Sequence, residues 1–489
     1  MNNAEPATSR PTSGGRRRRG TSLLEKLVVF HFSLLLVFTT WAFGGQAPWA
    51  RTVIALWGTA GIVLFIVGCV QRERPPGSSD PWSPGRCLWP LLLFDLLVAA
   101  SCFNPGFREV ILAGQNSLVL GDPTPWLPSA ARPLLAAHEL WQFNGLVLSS
   151  FNLLLVLHNR RLVRAVLFVL GINAVVLAIF GTFQKLTRAK GLWLGLVASP
   201  NPRFFSTFIY HNHWGAYIVL STGVCLGLLF HFLRRSGQRD IWHSPVLLGA
   251  LGIFLLAASV PLSSSRSCTV LIALLLGAAL VHFLARLIRR RRELRESALL
   301  PVAGIILTAV LAVGAIGYLG REVIAQRARL TSEQLAHIAH EDTLNSRLTL
   351  YRDTWRMAAD KPWFGWGLES YATVFRIYNT QRPVERWFQT PFYAEAHNDW
   401  LQSLAEVGFV GTALLGLLLG VPFFSVPWRK VESVLPRYLL AGCGIVLLYA
   451  WVEFPFANPA VMLTFCATFY CALRYAALDL RAQEEEKNR

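Results

Sequence analysis

The segment "AEAHNDWLQSLAEVGFVG", residues 394–411, places Glu395, His397, Asn398, Asp399 and Glu406 directly before an apolar run. A histidine side chain titrates near neutrality, so it can take a proton from a hydroxyl at ordinary pH. His397 can therefore be a general base, or a structural histidine that hydrogen-bonds its own loop. Glu395, Asp399 and Glu406 can orient or tune it, or hold the fold. Asn398 is a good N-cap for a helix that starts there and continues into the apolar run.

Three further stretches carry polar groups beside apolar segments. "SSSRS" sets Arg266 in a very short turn. It can snorkel to lipid phosphate, or bind an anion in fork geometry with the neighbouring hydroxyls as extra donors. "NSRLTLYRDTW" carries Arg347, Arg352 and Arg356. Arg352 and Arg356 can pair with Asp353 and Asp360 as a surface network. Arg347, placed in the first turn after an Asn345 cap, is the better anion ligand because the helix N-terminus adds its positive end. "SPNPRFFSTFIYHNHWGAY" offers Arg203, His211, Asn212 and His213. The two histidines lie two residues apart, so a helix turns them away from each other and a metal pair is not expected. Polar anchoring at a membrane interface is the plainer role. The eight cysteines form no CxxC pair and lie mostly in apolar runs, as buried thiols do. No GxSxG, Walker A, HExxH or dinucleotide fingerprint is present, so serine hydrolysis, nucleotide hydrolysis and zinc proteolysis are unsupported.

The elements that must position these groups are membrane helices. The chain has 489 residues, of which 53% are hydrophobic and only 15% charged. Its net charge of +18 falls in short Arg clusters between apolar runs, the pattern of membrane-protein loops rather than of a nucleic-acid face. A helix needs roughly 20 mostly apolar residues to span a bilayer. Twelve windows qualify: about 24–44, 50–70, 88–103, 139–157, 163–184, 212–233, 244–262, 267–285, 298–319, 406–427, 438–454 and 458–476. With the N-terminus inside, the inner segments hold more than three times as many Lys and Arg as the short outer ones. By the positive-inside rule both termini are cytoplasmic.

The expected architecture is an all-α integral membrane protein of about twelve spans with one large, partly helical periplasmic loop. A disordered tail (1–23) precedes nine spans (24–319). The loop (320–405) follows, then three spans (406–476) and a cytoplasmic tail (477–489). Aromatic residues fill the loop, so it should fold. "NSRLTLYRDTWRMAADKP" reads as a helix with Leu348, Tyr351, Trp355 and Ala358 at helical spacing and Pro362 as the stop. "GWGLESYATVF" reads as a glycine turn and a second helix, and the third begins at Asn398.

Together, "RFFSTFIYHNHWGAY", "SSSRS", "NSRLTLYRDTWRMAADKPWFGWG" and "AHNDWLQSLAEVGFVG" resemble the O-antigen ligase and polymerase family. The last stretch is the most specific, matching the family's pattern through His397, Asn398, Gly408 and Gly411. The resemblance covers about 200–411. It implies a bacterial inner-membrane glycosyltransferase whose donor is a glycan on undecaprenyl diphosphate and whose acceptor is a glycan or lipid hydroxyl. His397 takes the position of the base, and Arg266 and Arg347 those of the diphosphate-holding arginines. Arg203, His211, Asn212, Asn398 and Glu395 are candidates for substrate binding or support. The implied mechanism is inverting and metal-independent, and no cofactor is expected. A ligase acting on the lipid A core is preferred over a polymerase that joins lipid-linked repeats. A lipid-linked glycan flippase is the alternative of another class. It would carry charges deep in several helices, whereas here the polar groups gather on one membrane face.

Overall fold

The computed structural model describes residues 21–71, 83–112, 115–235, 245–319, 321, 343–381 and 392–487. Most of the expected tail (1–23), the stretch 322–342 and residues 382–391 of the expected loop lie outside the described residues.

Each apolar window is occupied by a helix. The first nine are α1 (Leu23–Trp41), α2 (Pro48–Val70), α3 (Trp89–Cys102), α4 (Pro133–Leu155), α5 (Arg160–Leu186), α6 (His211–Arg235), α7 (Pro245–Leu262), α8 (Arg266–Glu293) and α9 (Leu299–Leu319). Two helices follow in the connecting region, α10 (Thr343–Asp360) and α11 (Tyr371–Tyr378). The last three are α12 (Asp399–Phe424), α13 (Val434–Tyr449) and α14 (Pro459–Lys487). Among the described residues eight helices, α1, α2, α5, α6, α8, α9, α12 and α14, are long and apolar enough to cross a membrane. Helices α3, α7 and α13 are apolar but shorter. The chain is thus a multi-pass helical membrane protein.

Two helices can pack this closely in a bilayer only where side chains are small. Gly58 of α2 and Gly145 of α4 meet backbone to backbone, and a Cβ on Gly58 would lie 2.7 Å from the Gly145 Cα. The main apolar core joins α1, α4, α5, α6, α13 and α14 through residues such as Phe32, Phe151, Leu167, Trp214, Leu439 and Tyr470.

The all-helical expectation needs one correction. Strands β1 (Phe107–Leu112) and β2 (Gln115–Leu120) form an antiparallel hairpin, with Phe107 opposite Leu120 and Leu112 opposite Gln115. Short runs carrying Val110 and Ile111 on one side of an Ala-Gly pair and Val119 on the other favour a hairpin over a helix. Its inner end joins the core of the 343–405 region. Phe107 packs with Leu350, Met357, Trp366, Tyr371 and Phe375, so this region folds around its own apolar cluster.

The glycine turn of "PWFGWG" and the glycine pattern of α12 prove to be one feature. Helix α12 is interrupted at Gly408, whose backbone (φ 66°, ψ −172°) is open to glycine alone. There the chain exposes backbone groups that the preceding loop satisfies. The N–H groups of Trp366 and Gly367 donate to the carbonyls of Ala405 and Glu406, and those of Phe409 and Val410 to Pro362 and Trp363. A Cβ on Gly408 would lie 2.4 Å from the Trp363 carbonyl group, and one on Gly365 2.4 Å from that of Glu406. Replacing Gly408 with Ala should therefore cost about 3 kcal/mol or more, from strain and displaced backbone together. Thermal unfolding of the purified variant in detergent measures this, and an unchanged midpoint would refute the packing argument.

Candidate active site

The polar groups converge at one end of the bundle, where α6, α8 and α12 begin. Asn398 caps α12 as expected: its side-chain oxygen accepts the Leu401 N–H at 3.0 Å. The cap fixes the turn before it, in which His397 adopts a left-handed backbone (φ 52°). That conformation is uncommon for a residue other than glycine and costs free energy, so the surroundings must hold it. Tyr351 of α10 donates its hydroxyl to the His397 carbonyl at 3.0 Å. Asp399 fastens the other side. Its N–H bonds the carbonyls of Ala450 and Glu453, and its carboxylate accepts the Phe456 N–H at 3.0 Å.

Those bonds bring in the turn after α13 and, with it, Glu453. This carboxylate is buried and collects four donors. Asn212 Nδ2 donates to Oε1 at 2.8 Å and Arg347 Nη2 to the same oxygen at 3.2 Å. His397 Nδ1 lies 3.3 Å from Oε2, and the Tyr210 hydroxyl lies 3.5 Å from it. Ser265 donates to Asn212 Oδ1 at 2.7 Å, joining the "SSSRS" turn to the cluster. A carboxylate taken out of water needs this degree of hydrogen bonding to offset its lost hydration. With Nδ1–H directed at Glu453, the His397 Nε2 keeps a lone pair for a substrate proton. The Arg347 side chain is about half exposed, so its guanidinium can meet a ligand as well as Glu453. Burial, followed by the Glu453 charge, pushes the Tyr210 hydroxyl well above its usual range, so it serves as a neutral donor.

Of the residues expected from sequence, Arg347, His397 and Asn212 meet at Glu453. Arg266 opens α8 directly after Ser265, with its side chain exposed. Arg203 lies on the loop before α6, where its charge acts on Tyr210 and its carbonyl accepts the His211 N–H. His211 is buried edge-on against Tyr210, and His213 bonds the Phe454 carbonyl instead of facing a shared ligand. Among the described residues no three His, Cys, Asp or Glu side chains are grouped to hold a metal ion.

The structure decides four local expectations, correcting some and choosing between the alternatives left open for others. Helix α10 already runs from Thr343, so Asn345 lies within it and Arg347 is in its second turn. Asp353 takes both Arg352 and Arg356, while Asp360 accepts the Tyr378 hydroxyl. Glu406 is a brace, accepting the N–H groups of Glu369 and Tyr371 at the start of α11. Glu395 does not join His397. It accepts Gln402 Nε2 at 2.7 Å and borders a separate cavity of about 270 Å³ with Arg51, Glu139 and Glu369. Burial is the main cause that pushes its carboxyl up to about 7, with the Glu369 and Glu139 charges adding to it. A carboxyl raised from 4.5 to about 7 favours the folded state below pH 4.5, and that contribution is lost as pH rises through 7. Glu395→Gln should therefore be more stable than wild type at pH 8 by about 3 kcal/mol and equal to it near pH 4. Melting curves across that range test this, and a constant gap would exclude the buried charge as its cause.

Glu453 was not among the sequence candidates, yet it left a signal. It is the single acid between Glu432 and Asp479, set in an otherwise apolar stretch. An isolated charge at a membrane helix end is usually paired or functional.

Fold and site together define a multi-pass helical membrane protein with an Arg–Glu–His cluster at one membrane end. Residues 251–416 match the family model described as O-antigen ligase, so this part of the chain is similar to an O-antigen ligase domain. The matched span contains Arg266, Arg347, His397, Asn398 and Gly408, and it leaves Tyr210, Asn212 and Glu453 outside. No curated protein matches the chain.

Proposed function

We propose that this protein transfers an oligo- or polysaccharide from undecaprenyl diphosphate to an acceptor hydroxyl, as an O-antigen ligase acting on the lipid A core. The observation that carries this reading is the Arg347–Glu453–His397 cluster at the bundle end, beside the helices of the matched domain. His397 Nε2 takes the proton of the acceptor hydroxyl as its oxygen attacks the anomeric carbon. The bond from that carbon to the diphosphate oxygen breaks on the opposite face, so the reaction inverts the anomeric centre. Arg347, with Arg266 across the turn, stabilises the charge that grows on the leaving undecaprenyl diphosphate, and no metal is assigned a part. Glu453 orients His397 and holds Arg347 until the diphosphate arrives.

The distribution of Lys and Arg supports an orientation with both termini in the cytoplasm and the site at the periplasmic face of a bacterial inner membrane. Helix α10, whose Tyr351 and Arg347 reach His397 and Glu453, then lies at the outer end of the bundle. A lipid diphosphate keeps its tail in the bilayer and offers its sugar bond only at the surface, where the site lies. Purified protein given a defined undecaprenyl-diphosphate glycan and a lipid A core acceptor should form a new glycosidic bond of inverted configuration. Movement of the donor across vesicles without a new bond would sink this reading in favour of a flippase. Product on a second lipid-linked repeat alone would make the protein a polymerase.

A further inference from the structure

The membrane end opposite the candidate site holds a larger cavity, of about 910 Å³. Helix α14 separates the two: it starts six residues after Glu453 and reaches this cavity at Leu478, Arg481, Ala482 and Glu485. The starts of α1 and α5 and the ends of α2 and α4 complete its wall.

Its charge is not accidental packing. Arg160, Arg161, Arg164 and Arg481 line it. Arg160 is committed to structure, bonding the Leu478 carbonyl and pairing with Asp479 at 3.1 Å. Arg164 gives one N–H to the Tyr475 hydroxyl at 3.2 Å and has others to spare. Arg161 and Arg481 pair with no acid among the described residues, and both are exposed. Two acids share the wall. Glu25 is occupied, accepting the Ser22 and His158 N–H groups, and Glu485 lines the cavity one helical turn beyond Arg481 on α14. The start of α5 is capped by Asn159, whose side chain accepts the Arg161 N–H, and its positive dipole end lies beside Arg161.

Thr21, Ser22, Gln71, His158 and Asn159 add uncharged polar groups, and the remaining lining is apolar. Leu24, Leu155 and Leu478 form the side towards the helices, and exposed Leu23 and Val70 stand at the adjoining helix ends. A basic head space above an apolar flank between membrane helices fits one ligand chemistry: a phosphate on an acyl chain. A polyanion from solution would use the arginines and leave the apolar flank idle.

We propose that this cavity binds the phosphate head of an anionic membrane lipid, with Arg161, Arg164 and Arg481 as its ligands. The site is distinct from the transfer chemistry at the other end of the bundle and does not depend on it.

Native mass spectrometry of the detergent-purified protein with phosphatidylglycerol or phosphatidylcholine tests the site. Wild type should retain phosphatidylglycerol in preference to phosphatidylcholine. The double variant Arg161→Gln/Arg481→Gln should bind phosphatidylglycerol about thirtyfold more weakly, at about fivefold per arginine. Arg161→Lys/Arg481→Lys, which keeps the charge, should retain the preference and shows that the helix ends still fold. Equal retention of the two lipids by wild type, or equal phosphatidylglycerol binding by wild type and the Gln variant, would overturn the proposal. Inorganic phosphate that protects against unfolding as well as the lipid does would overturn the lipid as its source.

Discussion

His397→Ala should leave the protein folded in the membrane and reduce transfer by about 10²–10⁴-fold, the range for loss of a general base. A sugar hydroxyl is a poor nucleophile until its proton leaves, and Nε2 is the atom placed to accept it. The left-handed backbone at position 397 adds a second element to the test. Alanine tolerates that conformation poorly, so a loss of activity in His397→Ala could come from a disturbed turn. Asparagine visits the left-handed region more readily than most residues and cannot act as the base. His397→Asn should therefore keep the melting temperature while transfer falls as far as in the Ala variant. Donor binding should survive in both, because the arginines remain. Transfer by His397→Asn at the wild-type rate would remove His397 from the chemistry.

Glu453→Gln should lower transfer by roughly 10²–10⁴-fold although it changes one oxygen to nitrogen. The carboxylate accepts from Asn212, Arg347, Tyr210 and His397 at once. A glutamine can offer its oxygen to Asn212 and Arg347, but its NH₂ group then faces His397 Nδ1. Two donors cannot share that contact, so the imidazole must accept at Nδ1 and carry its hydrogen on Nε2. The lone pair that would take the substrate proton is gone. The same change removes the negative charge paired with Arg347, so donor binding should not weaken. A rate constant that falls while the donor's KM holds steady is the expected signature. Unchanged kinetics with a lower melting temperature would reduce Glu453 to a structural brace.

Much of the scaffold was legible because membrane helices announce themselves locally. Each window needs only its own run of apolar residues, and all twelve windows hold helices. The Asn398 cap and the two helices of the 343–381 region followed from the same local reasoning. The hairpin at 107–120 was not read because its strands are six residues each and give little periodic signal. The break at Gly408 was hidden inside an apolar pattern that a straight helix also satisfies. Only the loop carrying Gly365, passing within backbone contact, gives the broken conformation partners for its hydrogen bonds.

The stretch 394–411 shows the division most clearly. By itself the sequence determined a capped helix, a histidine just before the cap, and acids on both sides of it. It could not say which acid serves the histidine, because sequence distance measures position along the chain and pairing depends on position in space. Glu395, two residues away, turns to Gln402 and a different cavity. Glu406 braces α11. Glu453, fifty-six residues on, arrives beside His397 because Asp399 bonds the turn after α13. Helix and cap are decided by neighbours in the chain. The carboxylate partner is decided by how two helix ends are tied together, and only the tertiary structure holds that information.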